Sequence, residues 1–172
     1  MRYLSIFFLL TVLMSCETKV ATVDAPVVVE KAEKAKAMAM AKPGIITKTS
    51  NQGFEETYSK LRGIIENNPN LKIILELDHS KNAASVDLKL NPTRIIMFGN
   101  PKLGTPLMNT TSYLGLDLPQ KILVTQSAGG KVEISYNDPM YLKDRHKIVG
   151  VEEVLAKVSG ALNKISDGAL YP

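Results

Sequence analysis

The chain has one cysteine in 172 residues, Cys16, so it cannot close a disulfide within itself or supply a cysteine pair to a structural metal. A hydrophobic core must hold the fold together. Cys16 ends an apolar run that starts almost at the N-terminus behind a single cation, Arg2. From Tyr3 to Ser15 the run falls short of the roughly 20 residues a membrane-spanning helix needs, and its length fits a secretory signal. Residues 1–15 are therefore predicted to be removed.

The last four residues of this segment, Leu13-Met14-Ser15-Cys16, resemble the lipobox of a bacterial lipoprotein. The resemblance implies that a small residue before the cysteine fits the signal peptidase, that the thiol takes a diacylglyceryl group, and that Cys16 becomes the lipid-modified first residue. One acyl chain anchors only marginally, at about 0.8 kcal/mol per buried methylene, whereas the two or three of a processed lipoprotein anchor stably. The expected location is the bacterial cell envelope, in the periplasm or at the cell surface, with the membrane as a partner through Cys16. A buried structural cysteine is the alternative, and it leaves the hydrophobic N-terminus unexplained.

Residues 16–42 read as a flexible tether, rich in Ala, Lys and Glu and marginal as an isolated helix. Residues 43–172 are long enough for a single core. They hold 15 Lys and Arg against 13 Asp and Glu, a net of only +2, with no basic run and no tryptophan. Nucleic acid is thereby excluded as a partner.

Periodicity orders the folded part. Residues 45–49 are β-prone. Phe54, Tyr58, Leu61, Ile64 and Ile65 have helical spacing, with Glu55 and Glu56 where a helix dipole favours acids and Asn67-Asn68-Pro69 as a stop. Residues 71–77 alternate as a strand up to Asp78 and His79, and residues 80–88 are ambiguous. The apolar run at 93–98 reads as a strand buried on both faces. A loop over 99–106, a short helical segment at 107–110 and a hairpin turning at Gly129-Gly130 follow. Val151, Val154, Leu155, Val158 and Leu162 then share a helical face. The class is α+β, a single mostly antiparallel sheet covered by two main helices.

Several segments in this order resemble the bacterial family called domain of unknown function 302: Phe54-Glu55-Glu56-Thr57, Leu77-Asp78-His79, Phe98-Gly99-Asn100-Pro101, Gly104-Thr105-Pro106-Leu107-Met108, Leu116-Asp117-Leu118-Pro119 and Tyr136-Asn137-Asp138-Pro139. The match runs over residues 45–148. It implies a curved antiparallel sheet packed against two helices, and no particular activity.

The candidate site residues are Asp78, His79, Asn100, Lys102 and Asp117, expected to converge on one pocket because each ends or follows a strand at a loop. His79 could act as a base, yet a neighbour on an extended strand points to the other face, so Asp78 cannot orient it there. Residues 99–106 lack the lysine of a phosphate-binding P-loop, and Pro101 and Pro106 remove amide donors. A pocket rim remains, with Asn100 and Lys102 facing a small polar or anionic ligand. Asp117 is either a ligand group or a loop cap. With only His79 and His146 and no paired spacing, no metal site and no cofactor is expected.

Three functions follow. The first is a lipid-anchored binding module for a small polar or anionic ligand. The alternative is a structural or assembly protein that dimerises or docks on an envelope partner. The third is a small hydrolase or isomerase using His79, for which no nucleophile signature is present.

Overall fold

Alternation along the strands and a 3.6-residue stripe on the helices produce one two-layer domain. A computed structural model describes residues 43–172. Residues 1–42 lie outside the described residues, and with them the signal peptide expected at 1–15, the tether expected at 16–42 and Cys16. Strands β1 (Ile45–Ser50), β2 (Lys72–Asp78), β3 (Thr93–Gly99), β4 (Gln120–Gln126) and β5 (Val132–Asn137) form an antiparallel sheet in the order β1-β5-β4-β3-β2. Five helices accompany it: α1 (Phe54–Glu66), α2 (His79–Ala84), α3 (Pro101–Thr110), α4 (Pro139–His146) and α5 (Glu152–Gly168), with a 3-10 turn at Ser112–Leu116.

The core lies between one sheet face and the helices. Ile96, Phe98, Ile122, Val124 and Ile134 alternate inward and meet Phe54, Leu61 and Ile65 of α1 and Leu155, Val158 and Leu162 of α5. Each such side chain contributes about 1.5–3 kcal/mol on leaving water. The Glu56 carboxylate accepts from the Gly53 amide at the start of α1, and Asn67 closes its end. Gly44 has φ +75°, and a Cβ there would overlap the Tyr141 ring, so only glycine fits where the chain enters β1.

Two expectations are corrected. The strand at 93–98 is buried on one face only. Ile95 and Met97 turn away from the helices and, beside Leu75, Leu77 and Leu123, form an apolar patch on the open sheet face. The loop expected over 99–106 is mostly helix, because Asn100 caps α3 and Pro101 occupies its first turn, where a missing amide costs nothing.

A bulge in β2 changes which side chains face the core. The register shifts between Ile73 and Leu75, so Leu75 and Leu77 turn to the open face while Glu76 and Asp78 turn under the helices. Tyr58 and Arg62 of α1 answer Glu76, with Tyr58 Oη donating at 2.7 Å and Arg62 Nε at 2.9 Å.

Candidate functional site

The site is built at the end of the sheet where β3 leaves and β4 begins. Phe98 points inward, Gly99 follows, and Asn100 Oδ1 accepts from the Lys102 amide at 2.9 Å, starting α3. From α3 the chain passes through the 3-10 turn and a cis Leu118–Pro119 peptide into β4. Lys121 Nζ donates to the Asp117 carbonyl at 2.9 Å and the Pro119 carbonyl at 3.2 Å. Burial lowers the Lys121 ammonium from its ordinary value, while the nearby Asp117 charge acts in the opposite direction.

Between α3, α5 and this end of the sheet is a cavity of about 300 Å³. α3 supplies Leu103, Leu107 and Met108, and the entry to β4 supplies Leu118 and Pro119. α5 contributes Val158, Ala161, Leu162 and Ile165, a stripe at i, i+3, i+4 and i+7. Leu71, Ile74 and Phe98 complete the wall. A second cavity of about 340 Å³ adjoins it, bordered by Pro69, Asn70, Leu71, Lys72, Gly99, Asn100, Pro101 and Lys102.

The five candidate residues do not converge. Asn100 and Lys102 lie together at the second cavity, and Asn100 also lines the first. Asp78 and His79 lie at the opposite end of the sheet, since Lys72 pairs with Gly99 and Asp78 with Arg94. Six residues of strand separate the two ends, about 20 Å. Asp78 caps α2, accepting from the Lys81 amide at 3.0 Å, and pairs with Arg94 at 3.1 Å. Burial works to raise the Asp78 carboxyl. The amide of Lys81, the Ser80 hydroxyl and the Arg94 guanidinium outweigh it and hold the group below its ordinary value. His79 opens α2, half-buried, away from both cavities.

Asp117 borders neither cavity. Its Oδ2 lies 2.5 Å from His146 Nε2 and its Oδ1 3.5 Å from Arg145, tying the loop before β4 to the last turn of α4. The histidine that meets a carboxylate is thus His146 rather than His79. Among the described residues no group of three or more His, Cys, Asp or Glu could hold a metal ion.

The apolar wall carries little mark in the sequence. The segments Gly104–Met108 and Leu116–Pro119 supply much of that wall, but their leucines, methionine and prolines carry no chemistry that singles them out in sequence. Nor does the amphipathic stripe of α5 show that part of it faces a void rather than packed core.

The arrangement defines an α+β domain with an apolar cavity at the end of its sheet. The chain belongs to the family described as Domain of unknown function DUF302, whose model matches residues 46–165. A solved structure, that of the uncharacterized conserved protein DUF302 from Bacillus stearothermophilus, superposes with a TM-score of 0.66 at 19% identity, covering 74% of this chain and 99% of that one; the two share the fold. The chain is also similar to proteins named Fluoride-specific ion channel FluC 1. It is 32% identical over 129 residues to that of Brucella suis biovar 1, covering 73% of this chain and 50% of the relative. With that of Brucella abortus biovar 1 the identity is again 32% and the coverage 73% and 47%. The chain spans about half the length of these curated relatives.

Proposed function

We infer that this chain is a lipid-anchored binding module of the bacterial cell envelope whose ligand is largely apolar. The observation that carries the reading is the cavity of about 300 Å³, a size typical of small-molecule sites, walled almost wholly by aliphatic side chains. A ligand that is only small and polar would lose its water there without gaining partners. The polar or anionic ligand expected from residues 99–106 therefore gives way to one with an apolar body.

Membrane proximity is supported from two directions. Leu13-Met14-Ser15-Cys16 offers a lipidation site ahead of the domain. The Brucella relatives are named as ion channels, which must cross a membrane, and half of each lies outside the match. Among the described residues of this chain no helix is long and apolar enough to cross one. The domain would thus work beside a membrane in both settings, tethered by lipid here and by the remaining chain there.

Native mass spectrometry of the protein purified from its own host tests the reading. A retained apolar molecule, lost in Ala161→Phe, is the expected result; an empty protein in both forms would sink it. The same spectrum weighs a second reading, self-association, which is favoured by the patch of Leu75, Leu77, Ile95, Met97 and Leu123 on the open sheet face. A second copy presenting the same patch would cover it by two-fold symmetry.

A further inference from the structure

The two adjoining cavities share Leu71, Lys72, Gly99, Asn100 and Pro101 yet differ in chemistry. One is walled mainly by aliphatic side chains and Phe98, with Thr105 and Gln120 as its polar residues besides the shared Lys72 and Asn100. The other is bordered by the carboxamides of Asn70 and Asn100 and by Lys72 and Lys102. No aspartate or glutamate lines either. Among the described residues neither Lys72 nor Lys102 is in an ion pair, a state they share with Lys60, Lys89, Lys121, Lys147, Lys157 and Lys164; what sets the two apart is that both border the same cavity. Asn100 uses its carboxamide oxygen to cap α3, which leaves its two N–H donors for another acceptor.

We propose that the paired cavities hold a single-chain anionic amphiphile, its alkyl chain in the apolar cavity and its carboxylate or phosphate head beside Lys72, Lys102 and the Asn100 amide. The inference rests on the apolar-ligand reading and adds the head group and its charge. Size limits the chain. The apolar cavity equals about ten water-sized volumes of roughly 30 Å³, which suits one chain of medium length and not a two-chain lipid. Charge selects the head, since two ammonium groups with no carboxylate nearby attract an anion and repel a cation.

The Bacillus stearothermophilus structure is this fold over 99% of its own chain, and the described core of this chain lies within residues 54–170, so residues 43–172 are titrated as an isolated domain. Calorimetric titration with dodecanoate, dodecyl phosphate and dodecyltrimethylammonium holds the chain constant and varies the head. At least one anionic compound should bind at a single site and about tenfold or more tighter than the cationic one, the worth of one charge-assisted contact. The anion preferred assigns the head as carboxylate or phosphate. The double variant Lys72→Gln, Lys102→Gln should erase the preference while keeping binding of the alkyl chain, and Ala161→Phe should abolish binding of all three. Equal affinity for anionic and cationic heads, or a preference that survives the lysine changes, overturns the head-group assignment and leaves the apolar-ligand reading standing. Absence of binding by every compound, or binding untouched by Ala161→Phe, overturns both.

Discussion

Arg94 illustrates what a charged residue requires on the helix-facing side of a sheet. Its guanidinium carbon lies 4.5 Å from the centre of the Tyr58 ring and 5.3 Å from that of Phe54, and its nitrogens meet Asp78 and Glu55. The rings cover its faces while the carboxylates take its edges, so the charge is desolvated only where it is answered. Removing it takes from Asp78, whose side chain is 16% exposed, its guanidinium partner and leaves the Lys81 amide and the Ser80 hydroxyl. We expect Arg94→Met to cost about 2 kcal/mol in chemical denaturation, less than for a fully buried pair because water reaches part of the site. Asp78 sets a pH dependence. Its carboxyl is held below the ordinary 3.8, so its contribution is complete above that value and fades as pH falls through the lower folded value. Stability measured from pH 5 downward should therefore fall less steeply in Asp78→Asn than in the parent; identical slopes would show that Asp78 does not contribute.

Among the elements, α3 was the least visible in sequence and matters most to the cavity. Gly104 and Pro106 argue for a loop by local preference. They are overridden because Asn100 and Pro101 form a strong helix start and because Leu103 and Leu107 gain burial only when helical spacing turns both inward. Asn100 has two roles to separate. As a cap, its loss in Asn100→Ala should lower the thermal stability of the domain by about 1 kcal/mol, and Asn100→Asp should restore it. As a ligand donor it is not replaced by aspartate, which has no N–H and adds a negative charge. Stability rescued by Asp while dodecanoate binding stays weakened is the expected pattern; stability unchanged by Ala would refute the capping role. The β2 bulge left only a weak mark in the sequence. Ile73, Ile74 and Leu75 interrupt the alternation of residues 71–77, but a run of three apolar residues does not say that the register shifts there; the shift at Ile74 follows from what lies opposite, where Tyr58, Arg62 and Arg94 answer Glu76 and Asp78.

At the scale of the whole molecule, anchoring and folding should be separable. Cys16→Ala should abolish incorporation of labelled palmitate and shift the protein out of the membrane fraction, and unchanged partition would refute lipidation. Deleting residues 17–42 should leave the thermal midpoint of the domain unaltered, since its described core is built entirely from residues 54–170. The α+β class, the two long helices, the hairpin and the family resemblance were all legible in the sequence, because each rests on short-range pattern: a period of two or 3.6, a Gly-Gly turn, short motifs in a fixed order. Long-range placement was not. That β2 and β3 run antiparallel sends Asp78 and His79 to the end of the sheet away from Asn100, and no local signal records which end of a strand a loop will share. That His146 rather than His79 meets Asp117 depends on where α4 docks, 29 residues further along the chain. The cavity is the clearest case. Its wall consists of ordinary core residue types, and whether leucines on two helices pack together or leave a void is decided only when the elements assemble, by the volume their side chains fail to fill.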